Sequence, residues 1–245
     1  MQRYPLKYAE SGHVFISQED RLDRLVDELV DRNYAMDFCL ALDFDPFFIQ
    51  RLMMAGFLVM STRFARYSSE YLLLPKLHTT RSVLFFPNLH IKKSIKRFVS
   101  RYELRVDTDF DDIVDRCVAV HGDDWLTAPL LKAVRSLRGV KTVSARPISF
   151  GVYRDEELKA GEFGVLAGGV YTSYSGYYDE DNAGSVQMIL MARHLEERGA
   201  PFLDLGMPLP YKDDLGATNI PPGRFVPLFR EGRRRKLHKP QTLAL

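Results

Sequence analysis

Residues 162–207 constrain the fold more than any other part of the chain. Residues 163–171 form an apolar run that contains three glycines, as in a buried strand that another group approaches closely. Residues 183–198 then repeat apolar side chains at the spacing of a helix. The short apolar strand that follows, residues 202–205, carries Asp204. Because an unpaired buried charge is costly, this aspartate must be paired, hydrogen-bonded or functional.

Between the apolar run and the helix, residues 173–181 interrupt the pattern with small, aromatic and acidic side chains. The whole stretch therefore predicts two strands, a turn, a helix and a final strand around a polar segment. We interpret it as the core of an acyl-handling α/β domain.

Strands and helices also alternate in the preceding residues. Helices are predicted over 22–30, 47–55, 91–100, 110–121 and 128–137, and strands over 39–44, 57–61, 70–74, 81–87 and 148–153. Asp45 and Pro46 open the second helix, with Pro46 at the first helical position. The predicted class is α+β (α/β-like), because helix 183–198 lies between strands. We expect a smaller N-terminal α+β domain over 1–100 and a second domain over 101–245 that ends in a basic tail.

Composition and motifs exclude several classes of protein. The chain has 245 residues and a formal net charge of +2, which is too small to indicate a partner. Neither the two cysteines nor the six histidines have the spacing of a metal site or a catalytic triad. The motifs of hydrolases, P-loop NTPases and dehydrogenases are not present in the sequence. The first residues lack a signal peptide's apolar segment, and the most apolar run, 46–60, is too short to span a bilayer. We therefore expect a soluble, cytoplasmic protein.

Several ordered stretches between residues 45 and 229 resemble the leucyl/phenylalanyl-tRNA–protein transferases. They are residues 45–57, 81–84, 89–97, 107–110, 124–127, 161–175, 202–204 and 215–217. Their order and spacing carry the resemblance, since no single stretch is specific. Members of this family move an amino acid from charged tRNA to a protein N-terminus and so mark the acceptor for degradation. The resemblance implies an acetyltransferase-like C-terminal domain, no metal, no organic cofactor, and two partners, aminoacyl-tRNA and an acceptor protein.

The sequence also departs from the family pattern. Of the family's Trp-Trp-Ser-Pro-Asp-Pro-Arg segment only Arg81 remains. The family's Gly-Glu-Ser is Ser-Tyr-Ser at residues 173–175, and its Asp-Cys-Gln is Asp-Leu-Gly at residues 204–206. Two alternatives stay open: a relative that binds tRNA without transfer, and a small-molecule acyltransferase.

The resemblance implies roles for individual residues. Asp204 would hold the attacking amine or help to deprotonate it, while Trp125 and Tyr171 would hold the aminoacyl side chain. The 3′-terminal adenosine and its amino acid would bind at Tyr174, Ser175 and Gly176, with Gly206 as a further substrate-binding residue. Each has a structural alternative: an arginine partner for Asp204, core packing for the aromatic residues and a plain polar loop for the segment at 174–176.

A basic helix is the predicted tRNA-binding surface. Lys93, Lys96 and Arg97 share one helical face, and such residues bind a phosphate backbone without reading sequence. A solvated helix face is the alternative. The predicted tRNA-binding residues are Lys92, Lys93, Lys96, Arg97 and Arg101.

Overall fold

The computed structural model describes residues 3–64, 71–140 and 144–238. The strands are β1 Lys7–Tyr8, β2 Val14–Phe15, β3 Leu58–Arg63, β4 Tyr71–Lys76, β5 Arg81–Leu84, β6 Glu103–Val106, β7 Ala145–Arg154, β8 Glu157–Ala167, β9 Val170–Tyr178, β10 Leu203–Asp204 and β11 Thr218–Ile220. The helices are α1 Leu22–Asp31, α2 Pro46–Met54, α3 Lys93–Val99, α4 Phe110–His121, α5 Ala128–Leu137, α6 Ala183–Glu197, α7 Pro210–Asp214 and α8 Pro222–Gly232, and a 3-10 turn covers Phe86–Asn88.

A seven-stranded mixed sheet organises the fold, in the order β11-β5-β10-β9-β8-β7-β6. Its neighbouring strands are antiparallel except β9 and β10, which are parallel and are connected through α6. Two small antiparallel ribbons, β1–β2 and β3–β4, accompany the sheet. This arrangement confirms the predicted α+β class.

Apolar side chains are buried on both faces of the sheet. On the first face, α1, α2, α4, α5 and α8 contribute to a cluster that includes Phe48, Phe163 and Phe225. On the second face, α3 and α6 contribute to a cluster that includes Phe150 and Ile189. Most of the buried polar residues described below lie on the central strands of the sheet, between these two apolar clusters.

The strand predicted over residues 163–171 is wrong, because the chain reverses within it. β8 ends at Ala167, a turn at Gly168 and Gly169 follows, and β9 runs on to Tyr178. Gly168 has a φ of +58°, and a Cβ there would lie 1.9 Å from the carbonyl oxygen of Arg233. Only glycine fits that approach, so the turn depends on a contact with α8 that periodicity cannot reveal.

Some local predictions are confirmed and others need correction. α2 begins at Pro46 as predicted, and the Asp45 carboxylate caps it by accepting from the Phe48 N–H at 2.9 Å. The predicted strand over 39–44 is not formed as a continuous strand. This segment makes isolated bridges in which Leu40 pairs with Phe15 and Ala41 pairs with Leu73. The proposed basic tail is described only as far as residue 238, and Glu70 of the predicted strand 70–74 lies outside the described residues.

The domain division at residue 100 stays a prediction. β5, which belongs to the expected N-terminal part, pairs with β10 and β11 in the main sheet. Within the described ranges, no helix is long and apolar enough to cross a membrane.

Candidate functional site

Asp204 lies at the centre of the sheet in a bidentate ion pair with Arg81. Arg81 Nε donates to Asp204 Oδ1 at 2.8 Å and Arg81 Nη2 donates to Asp204 Oδ2 at 2.7 Å. The two side chains are 1% and 0% exposed. Burial alone would raise the pKa of Asp204, but the charge and hydrogen bonds of Arg81 hold it below its ordinary value.

Two further donors complete the surroundings of this carboxylate. Thr172 Oγ1 donates to Asp204 Oδ2 at 2.8 Å, and the Gly206 N–H donates to Asp204 Oδ1 at 3.0 Å. Gly206 has a φ of +73°, the left-handed region that favours glycine. Since protein donors engage both oxygens, contact with a substrate amine would require one of them to move. The arginine partner that sequence left as an alternative is present, and the catalytic role of Asp204 stays a prediction.

β9 extends beyond the last position that pairs with β10, next to this ion pair, and we call this place the notch. The parallel pairing consists of Leu203 with Tyr171 and Asp204 with Thr172, whereas β9 continues to Tyr178. The predicted adenosine-binding residues Tyr174, Ser175 and Gly176 therefore lie on a strand just beyond the last paired position. The Tyr174 hydroxyl accepts from the Val59 N–H at 2.9 Å, and His121 Nε2 donates to the Gly176 carbonyl at 2.8 Å.

Strand β3 connects Tyr174 with Trp125. Besides its Val59 contact with Tyr174, β3 donates from the Ser61 N–H to the Trp125 carbonyl at 3.0 Å. Both aromatic side chains are half-buried against the apolar cluster of the first face. A Cβ at Gly206 would lie 3.1 Å from Leu58 Cδ1, so β3 also reaches the notch. Trp125, Tyr174 and Gly206 are thus brought to one strand that sequence reasoning did not associate with them.

Tyr171 does not lie with Trp125. Its ring is fully buried in the cluster of the second face, with its centroid 5.0 Å from that of Phe150. Trp125 packs against the first face. The two residues therefore do not line one pocket in this structure, and a shared role in holding the aminoacyl side chain stays a prediction.

Glu162 and Lys212 are buried ionisable residues that sequence reasoning missed. Glu162 is 4% exposed on β8, and burial raises its pKa to about 7 although Ser173 and Tyr171 lower it. Lys212 Nζ donates to the carbonyl oxygens of Leu205 at 2.5 Å and Met207 at 2.9 Å. Burial lowers the pKa of Lys212 to about 8.

The sequence does contain a pattern that could have identified Glu162. It is a carboxylate within an apolar, glycine-containing strand, the same pattern that drew attention to Asp204. Lys212 gave no such signal, because it lies in a polar segment of the sequence.

The predicted tRNA-binding residues lie in or next to α3 and are exposed. Lys92 Nζ forms a surface ion pair with Asp214 Oδ2 at 2.6 Å. Asp214 ends α7, the helix that also carries Lys212. Helix α7 therefore connects the basic surface of α3 to the segment that follows β10.

Two cavities of about 670 and 390 Å³ lie elsewhere on the surface. The larger is lined by residues that include Arg154 and Asp179, the smaller by residues that include Arg51 and Arg233. Neither includes Asp204 or the aromatic residues of the notch. In the described part of the chain, no group of three or more histidine, cysteine, aspartate and glutamate side chains could hold a metal ion.

The solved structures that resemble this chain are distant. L-PGS from Bacillus licheniformis has a TM-score of 0.40 and 11% identity, covering 93% of this chain and 88% of that one. A GCN5-related N-acetyltransferase from Anabaena variabilis has a TM-score of 0.39 and 7% identity, covering 81% of this chain and 46% of that one.

Sequence relatives give a closer comparison. A leucyl/phenylalanyl-tRNA–protein transferase of Rubrobacter xylanophilus is 30% identical over 159 residues, covering 63% of this chain and 80% of that protein. The Pectobacterium carotovorum enzyme of the same name is 28% identical over 149 residues, 60% of this chain. That match spans 62% of the Pectobacterium protein, less than two thirds of its length. The family model of leucyl/phenylalanyl-tRNA protein transferase matches residues 83–230, which contain the basic helix, the notch and Asp204. On these matches, the chain belongs to the leucyl/phenylalanyl-tRNA–protein transferase family.

Proposed function

We propose that this protein transfers an amino acid from charged tRNA to the N-terminal amine of an acceptor protein. Leucine and phenylalanine are the donors in the names of its relatives. A cytoplasmic setting and a role in marking the acceptor for degradation belong to the same proposal.

The observation that carries the proposal is the connection of a basic surface to the notch through α7. Asp214 of α7 pairs with Lys92 beside α3, and Lys212 of α7 bonds the backbone that follows Asp204. A tRNA acceptor stem on α3 would therefore lie next to the strands where its aminoacylated end is expected. Lysine and arginine on that surface would grip phosphate through counterion release.

Correct positioning of the two reactants can supply much of the rate acceleration for this reaction. The acceptor's amine attacks the ester carbonyl of the aminoacyl-tRNA, the C–O bond to the ribose breaks, and an amide forms. The ribose hydroxyl leaves with a proton, and the amine loses one. Holding the two reactants in line accounts for several kcal/mol of a barrier, on the order of 7–11 kcal/mol for the best-oriented reactions.

In this proposal Asp204 is a positioning residue. Its bonds to Arg81, Thr172 and the Gly206 N–H fix the end of β10 against β9. Tyr174 and Trp125 would border the aminoacyl-adenosine from the β3 side. Loss of Asp204 would then disorder the notch rather than remove a base.

The test is a transfer assay with purified protein, tRNA charged with a labelled amino-acid mixture, and peptides that begin with arginine, lysine, aspartate or glutamate. The expected result is label in a peptide, only when charged tRNA is present. Lys132→Glu, on the exposed side of α5, serves as the control for a combined Lys93→Glu, Lys96→Glu and Arg97→Glu variant, which should lose transfer.

Two other outcomes would favour the alternatives. Salt-sensitive tRNA binding without transfer to any peptide would favour a binding protein. No tRNA binding at low salt would contradict the proposal and leave a small-molecule acyltransferase as the better interpretation.

A further inference from the structure

Glu162 carries a buried carboxyl group whose Oε1 atom has no hydrogen-bond partner within the described ranges. In β8 it pairs directly with Gly176 of β9, and a Cβ at Gly176 would lie 3.4 Å from Glu162 Cβ. An unsatisfied acceptor of this kind costs free energy in a folded protein, and a functional role is one explanation for its presence.

The neighbouring groups do not satisfy the Oε1 atom. The Tyr171 hydroxyl is also buried and also has no partner among the described residues. Ser173 and Tyr171 lie close enough to lower the pKa of Glu162, and the charge of Lys212 lowers it further, against the larger effect of burial. The Lys212 ammonium, however, already donates to two backbone carbonyls. The site therefore presents an acceptor that lacks a strong donor.

This carboxyl group lies among residues assigned above to the aminoacyl end of the tRNA. Gly176 pairs with Glu162 across the two strands, and Tyr171 is a neighbour of the carboxyl group. Tyr174, at the notch, lies two residues before Gly176 on β9. Met207 and Tyr211, 49% and 53% exposed, lie on the segment after β10 that Lys212 holds. Burial of its phenol group, followed by the charge of Glu162, raises the pKa of Tyr211 to about 12.

We infer that Glu162 receives the side chain of the transferred amino acid, and that the donor is tRNA charged with a basic residue, arginine or lysine. This inference rests on the proposed function and names its substrate class. A guanidinium or ammonium group would supply the missing donor to Oε1 in a charge-assisted hydrogen bond. A leucine or phenylalanine side chain would leave the buried carboxyl group without a hydrogen-bond partner. Binding sites that contain a buried polar group strongly reject apolar side chains for this reason.

The experiment compares tRNA charged with labelled arginine, lysine, leucine or phenylalanine in the transfer assay described above. We expect arginine or lysine to be transferred about 10- to 100-fold faster than leucine, the range set by one charge-assisted hydrogen bond. Glu162→Gln keeps the size of the side chain and should lose most of that preference, while tRNA affinity stays unchanged. Glu28→Gln is the matched control, because Glu28 of α1 is similarly buried and pairs with Arg32 just after the helix.

The outcomes distinguish failure of the inference from failure of the proposed function. Equal or faster use of leucine or phenylalanine by the wild type would overturn the inference and leave the proposed function intact. A basic preference that survives in Glu162→Gln would also overturn it. Transfer of no amino acid, despite tRNA binding, would reject both. If thermal unfolding shows that Glu162→Gln is unfolded, Glu162→Met provides the second variant, and the inference predicts that the basic preference is lost because no carboxyl group remains.

Discussion

Asp204→Ala removes the carboxylate from the buried pair with Arg81, and the structure sets the size of the effect. Arg81 and Asp204 are 1% and 0% exposed, and their two hydrogen bonds measure 2.8 and 2.7 Å. Removing one partner of such a pair leaves an uncompensated charge in the interior and costs about 3–5 kcal/mol. The Thr172 hydroxyl and the Gly206 N–H lose their acceptor as well. We therefore expect the free energy of unfolding to fall by about 3–5 kcal/mol.

The assay is urea unfolding followed by far-ultraviolet circular dichroism. Asp214→Ala is the matched control, because Asp214 also pairs with a basic residue but is 60% exposed. It should leave the urea midpoint almost unchanged, since exposed pairs contribute little. A combined Arg81→Met and Asp204→Leu variant should be less destabilised than Asp204→Ala, because no buried charge remains unpaired. Similar small losses for Asp204→Ala and Asp214→Ala would show that the buried pair contributes no more to stability than an exposed one.

Three further predictions follow from individual side chains. Because burial raises the pKa of Glu162 to about 7 from an ordinary 4.5, its folded state holds the proton more tightly than the unfolded chain. As the pH rises from about 4.5 to about 7, the wild type should therefore lose on the order of 3 kcal/mol of stability relative to Glu162→Gln, with no further loss above pH 7. The measurement is urea unfolding of both proteins at pH 5 and pH 8. A stability difference that is the same at both pH values would contradict the raised pKa of Glu162. Tyr174→Phe leaves the Val59 N–H without its acceptor and should lower the free energy of unfolding by about 1 kcal/mol. Tyr178→Phe, at a 65% exposed position, is the control and should not change it. Equal effects of the two substitutions in urea unfolding would argue against the hydrogen bond. Replacing Lys93, Lys96 and Arg97 with alanine should flatten the slope of tRNA affinity against salt by about 0.7–0.9 for each phosphate that is no longer neutralised, measured by fluorescence anisotropy. An unchanged slope, as expected for Lys132→Ala, would remove α3 from the tRNA surface.

Local features were readable from the sequence. Asp45 and Pro46 predict the start of α2 because a cap and a first-turn proline act within a few residues of each other. The spacing of Val186, Ile189 and Leu195 likewise identifies α6, since its apolar side faces one layer of the core.

Contacts between distant residues were not readable. The hairpin at Gly168 depends on the approach of Arg233, and the Tyr174 hydroxyl bonds a backbone group 115 residues earlier. Arg81 lies 123 residues before Asp204, so its partnership could be offered only as an alternative. The sequence located the carboxylate of the candidate site, while the fold determines which groups it meets.

The most direct test is the intact mass of an acceptor peptide after incubation with the protein and tRNA charged with all twenty amino acids. We expect a gain equal to one aminoacyl residue, at the peptide's N-terminus and only in the presence of charged tRNA. An unchanged peptide mass, under conditions in which the folded protein binds the tRNA, would contradict it.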